Sequence, residues 1–172
     1  MESLINIIIN AFSNLLAYKY GKDLIVFIIS LLPLLELRGG LIAASLLKVP
    51  PVRAYIISMI GNIIPVPFIL LFIALIIEWM EKCNIKLLNK FAKWLRKKVD
   101  KHRGQIDKYG YLGLILFVGI PLPGTGAWTG CLIASLLKMN RKKAFLCTLA
   151  GIVMASIIMM IISYGIIGNL IK

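Results

Sequence analysis

"PLLELRGGLIAASLLKVPPVRAYIISMIG", residues 33–61, returns ninety positions later as "PGTGAWTGCLIASLLKMNRKKAFLCTLAG", residues 123–151. Identities fall at Pro33/Pro123, Gly40/Gly130, Ala44/Ala134, Ser45/Ser135, Leu46/Leu136, Leu47/Leu137, Lys48/Lys138, Ala54/Ala144 and Gly61/Gly151, without a gap. Apolar sequences match one another by composition alone, but Gly, Ser and Lys at matched positions are not explained that way. With a one-residue gap, "KYG" at 19–21 also aligns with "KYG" at 108–110. The chain reads as a tandem duplication.

Working outward, each copy is an apolar run, a break rich in Pro or Gly, a second apolar run, a short basic turn and a long hydrophobic stretch. Residues 24–35 and 39–48 as helices reach only about 18 Å and 15 Å, roughly half of a hydrocarbon core of about 30 Å. Residues 53–79 and 141–167 reach about 40 Å and can cross it with tilt. A hydrophobic share of 60% and a mean hydropathy of +0.91 exclude an ordinary soluble domain. The predicted fold is therefore an all-α integral membrane protein, an inverted repeat of a re-entrant (broken) helical hairpin plus a long transmembrane helix. Residues 1–172 form one membrane domain, with repeat 1 at 19–79, a basic amphipathic cytoplasmic linker at 80–107 and repeat 2 at 108–172.

The charges orient this plan. If the short pieces are hairpins that enter and leave on one side, Lys19, Lys22, Lys48, Arg53 and Lys172 share a face. The ten cations of 80–108 and the four of "KMNRKK" (138–143) share the other, as the positive-inside rule favours. If each short pair is instead one broken helix that crosses, the 138–143 cluster falls opposite the linker, which the rule disfavours. One crossing helix per copy inverts the second copy relative to the first, the plan of many secondary transporters.

A formal charge of +13 suits anionic lipid head groups here, and no nucleic acid partner is expected. In the linker Ile85, Leu88, Phe91, Leu95 and Val99 keep helical spacing between lysines, fitting either a helix resting on lipid or a solvated tether. His102 reads as surface. Cys83, Cys131 and Cys147 lack metal-ligand spacing and read as reduced, structural thiols. Asn6, Asn10 and Asn14 mark one polar stripe on an N-terminal helix, and the first residues lack the marks of a cleaved signal peptide.

Candidate functional residues cluster at the two breaks. Glu36 and Arg38 are charges inside an apolar stretch, where each costs at least about 2.5 kcal/mol on insertion scales. Gly39 and Gly40 in the first break, and Gly124, Gly126 and Gly130 in the second, are expected to supply tight turns and close backbone approach. Pro121 and Pro123 are expected to stop the entering helix of the second copy. Helices departing near Gly39 and Gly126 would aim their N-termini, with Arg38, at an anion. Glu36 is then a fixed counter-ion of Arg38 or a group whose proton alternates with substrate. The pair could also be a purely structural tie of the hairpin. Thr125, Trp128 and Thr129 line the second break. Asn62 precedes Pro65 and Pro67, which kink the first long helix and make Asn62 a cavity-wall candidate. No catalytic spacing of His, Cys or Asp stands out, so neither an enzyme nor a metal or other cofactor is expected.

Glu36-Leu37-Arg38-Gly39-Gly40, "PLPGTGAWTG" and the "ASLLK" echo together resemble the family of small multidrug export proteins over nearly the whole chain. More distantly the pattern is similar to the DedA/VTT group of lipid scramblases and flippases, though the second break here lacks the charge that group carries in both hairpins. The resemblance implies a transport protein of the prokaryotic cytoplasmic membrane. The expected function is a small secondary transporter or lipid translocase for an anionic or zwitterionic substrate, such as a lipid phosphate, with protons as the coupling ion and a homodimer within reach of so small a bundle. Export of lipophilic cations, or a membrane-shaping structural role, is the alternative.

Overall fold

A computed structural model describes residues 18, 20–82, 86–122 and 124–167. The asparagine stripe of the N-terminus, Lys19, Cys83, Ile85, Pro123 and Lys172 lie outside them, as do the side chains of Phe91, Leu95, Val99 and His102 in the linker. Among the described residues the regular elements are all helices: α1 Gly21–Leu31, α2 Glu36–Leu46, α3 Pro51–Ile63, α4 Pro65–Lys82, α5 Lys86–Gly119, α6 Ala127–Leu136 and α7 Arg141–Met160, followed by a π-helical turn, Ile161–Ile167.

Two stretches are long and apolar enough to cross a membrane, Pro51–Ile73 and Arg141–Gly165, with mean hydropathies of 2.4 and 2.6. Only 39% and 33% of these windows are buried. A core helix of a soluble protein would be mostly covered. Instead Phe68, Phe72, Leu75 and Ile76 on α4, and Leu146, Val153, Ile157 and Ile161 on α7 and the turn beyond it, face outward. Outward apolar stripes of this kind suit hydrocarbon rather than water.

Local chemistry sets the helix ends. Leu32, before Pro33, takes an extended conformation (φ −70°, ψ 136°), because the proline ring disfavours helix at the preceding residue, and α1 stops at Leu31. Pro65 separates α3 from α4 where the sequence places a kink. The linker is helical from Lys86, and Gly110 (φ 56°, ψ −127°) breaks α5 into this helix and the apolar piece that follows. The expected stop near Pro121 holds, since α5 ends at Gly119.

The helices gather in two compact units, one of residues up to Ile64 together with those from Ile152, the other Pro65–Gly151. In the first, Lys22 at the start of α1 donates to the Leu47 carbonyl just past the end of α2 at 3.0 Å. The two helices thus fold back on each other as an antiparallel hairpin. Asp23 pairs with Arg53, which brings the start of α3 to the same open end. From there α3 runs alongside α1, and the backbone of Gly61 reaches Ser30 and Phe27 so closely that a Cβ would stand 2.9 Å from each.

The second unit contains the same local arrangement. Tyr111 accepts from the Asn140 backbone N–H and lies under the Lys143 ammonium, where the first unit has Asp23 and Arg53. A Cβ on Gly151 would meet Val118 and the Ile115 carbonyl, as one on Gly61 would meet Ser30 and Phe27.

The "ASLLK" echo has a physical meaning. In α2 the Val49 N–H bonds to the Ala44 carbonyl and Lys48 N–H to Ser45; in α6 Met139 bonds to Ala134 and Lys138 to Ser135. This is a Schellman ending, with Lys48 (φ 54°) and Lys138 (φ 53°) in the left-handed position that glycine usually fills.

Candidate functional site

The expectation that Gly39 and Gly40 make the first turn is corrected by the backbone. The turn spans 32–35, α2 begins at Glu36, and it is Glu36 that adopts a left-handed conformation, φ 52°. Gly39 and Gly40 are inside α2, and their role is close packing. A Cβ on Gly39 would stand 2.6 Å from that of Leu35, and one on Gly40 would stand 1.8 Å from Ser30 Oγ. The hairpin needs bare backbone there because Leu35 of the turn and Ser30 of α1 leave no room, not because the chain bends at the glycines.

Glu36 and Arg38 sit at the closed end of this hairpin, 4% and 7% exposed. The Glu36 carboxylate lies within electrostatic reach of the guanidinium. A non-glycine residue held left-handed stores about 1–2 kcal/mol, so the closed end carries both backbone strain and buried charge.

The polar lining continues on α3. Ser58 and Asn62, one helical turn apart, are fully buried. A Cβ on Gly40 would stand 3.0 Å from Ser58 Oγ, which fixes the face of α3 that meets α2. Because α2 and α3 run antiparallel, one turn from this contact toward the closed end leads to Glu36 on α2 and to Asn62 on α3. Glu36, Arg38, Gly39, Gly40 and Asn62 therefore share one unit, with Ser30 and Ser58 as neighbours that sequence reading missed. Their signal was the small side chain matched to glycine on the partner helix.

In the second unit Gly124 (φ 86°) and Gly126 (φ 137°) do make the turn, as expected, and a Cβ on Gly124 would meet nothing within 4 Å. Gly130, like Gly40, is a packing residue, its Cβ position 2.6 Å from Val118. The Thr125 hydroxyl lies 3.0 Å and 2.9 Å from the Ile120 and Leu122 carbonyls, closing the turn. Thr125 also lines a cavity of about 210 Å³ with Phe117 and Leu122. Trp128 and Thr129 are half-buried on the first turn of α6.

The matched positions differ in chemistry. Where the first copy of the sequence has Ser30, Glu36, Arg38 and Asn62, the second has Val118, Gly126, Trp128 and Ile152. Thr148 replaces Ser58 and meets Cys131 Sγ at 3.6 Å. The closed end of the first unit carries two charges, and that of the second carries none. A groove of about 720 Å³ in the first unit is lined by Tyr18, Tyr20, Asp23 and Phe27 among others, and by none of the buried charges.

Apolar spans around a few sequestered polar groups define a helical membrane protein. The model of the family described as small multi-drug export protein matches residues 36–158, and the chain belongs to that family. The match starts at Glu36. No curated protein and no solved structure matches the chain.

Proposed function

We propose that this chain is a small secondary transporter of the prokaryotic cytoplasmic membrane whose translocation site is built on Glu36 and Arg38. One observation carries the reading: two charges are held almost fully buried, on a strained backbone, at the closed end of a hairpin that an apolar bundle does not require. The matched hairpin of the second unit closes without charge. In this reading the short hairpins are re-entrant, repeat 1 (19–79) and repeat 2 (108–172) have inverted topology, and the basic 80–107 linker rests on the cytoplasmic leaflet.

Arg38 favours a substrate with an anionic or zwitterionic head group, such as a lipid phosphate, and Glu36 is suited to carry a coupling proton. Membrane lipids are then both solvent and substrate source, and two copies can assemble as a homodimer. The family description favours a second reading, export of lipophilic drugs, in which Glu36 receives a cation.

Purified protein in liposomes separates the two. Binding of a polyprenyl phosphate, a phospholipid and a lipophilic cation is measured for wild type, Arg38→Ala and Arg38→Lys. The anionic reading expects Arg38→Ala to lose binding more completely than Arg38→Lys, because lysine keeps the charge but not the planar, paired donors. Unchanged phosphate binding in a folded Arg38→Ala protein refutes it. Cation binding lost only in Glu36→Gln supports the drug reading.

A further inference from the structure

We infer that Ser58 and Asn62 bind water inside the first unit, and that this water solvates the closed end of the hairpin where Glu36 and Arg38 lie. Asn62 is fully buried, and neither the oxygen nor the nitrogen of its amide has a hydrogen-bond partner. The same holds for Ser58 Oγ. Both stand on the helix Pro51–Ile63, inside a candidate membrane span.

A buried polar atom left unmatched costs about 1–3 kcal/mol, and hydrocarbon cannot relieve it. Pro65 adds to the demand, since it has no N–H to offer the Gly61 carbonyl four residues earlier. Donor and acceptor groups thus accumulate at one level of α3, one turn from the contact with Gly40.

The fold does not need them. The second copy of the sequence keeps the glycine contacts, Gly130 and Gly151, yet has the fully buried Ile152 at the position matched to Asn62 and a partnered Thr148 at that matched to Ser58. Polar atoms retained where an apolar residue packs equally well point to a ligand. Water fits best, because the Asn62 amide presents both a donor and an acceptor. A cation would use only Oδ1, an anion only Nδ2. A buried water makes about three hydrogen bonds, within what Ser58 Oγ and the two amide atoms provide.

The consequence is local solvation. Glu36 is reached by moving one turn along α2 from Gly40, as Asn62 is reached by moving one turn along α3 from Ser58. Water at this level eases the penalty of charges buried among apolar helices.

The test uses water itself as the probe. In isotope-labelled protein in nanodiscs, the side-chain amide protons of Asn62, assigned by their loss in Asn62→Leu, should show a dipolar cross-peak at the water frequency. Asn62→Leu, which displaces the water, should lower the unfolding temperature because Glu36 and Arg38 lose their solvation, and the same substitution in a Glu36→Gln/Arg38→Met background should lower it much less. Absence of the cross-peak, or an equal loss in both backgrounds, overturns the inference. Neither readout involves a transported substrate, so failure here is separable from failure of the transport reading.

Discussion

Ser45 donates its hydroxyl to the Ser163 carbonyl at 2.7 Å, joining α2 to a π-helical turn 118 residues away in the chain. A π-helical turn departs from regular i→i−4 bonding, and α2 supplies outside contacts to it. Tyr164 in the same turn donates to the Val49 carbonyl at 2.8 Å. The matched serine of the second copy, Ser135, reaches the Leu70 carbonyl at 3.5 Å. Each "ASLLK" serine therefore packs on the far half of a long helix belonging to the other copy.

Ser45→Ala should lower stability by about 1–3 kcal/mol, the cost of leaving a buried carbonyl unmatched. Ser135→Ala should cost much less, since its bond is long. Unfolding of the two variants in detergent, compared with wild type, checks this; equal losses would mean that the Ser45 bond is no stronger than its counterpart.

Gly40→Ala should destabilise the protein by about 1–3 kcal/mol through overpacking, because the added methyl overlaps Ser30 Oγ. Ser30→Gly in the same chain should recover most of that loss. A double variant no better than Gly40→Ala alone would place the clash elsewhere.

Glu36→Gly should be at least as stable as Glu36→Gln, since both remove the charge but only glycine relieves the left-handed strain. Thermal unfolding ranks them. If Glu36 carries the coupling proton, Glu36→Gln should also bind substrate yet lose the dependence of uptake on a pH gradient.

Single cysteines at positions 48 and 138, in a background without the native cysteines, should be labelled from opposite faces of the membrane if the repeats are inverted. Both lysines are exposed. Labelling from one face would reject the re-entrant plan.

By itself the sequence determined the family, the helical class, the long apolar spans and the positions of Glu36 and Arg38. These follow from composition, from lengths measured against a bilayer, and from charges that stand out in apolar surroundings. It also located the second break and the interruption at Pro65, because Pro65, Pro121 and the Gly124–Gly126 turn act through the local backbone, but it put the first turn at Gly39 and Gly40 instead of 32–35. It misread Gly39 and Gly40. A glycine that bends the chain and a glycine that admits a neighbouring helix look alike until the neighbour is in place. Only the tertiary structure set Ser30 against Gly40 and put Ser58 and Asn62 on the face that meets α2. These are contacts between helices, and side-chain periodicity within one helix carries no record of which partner it will meet.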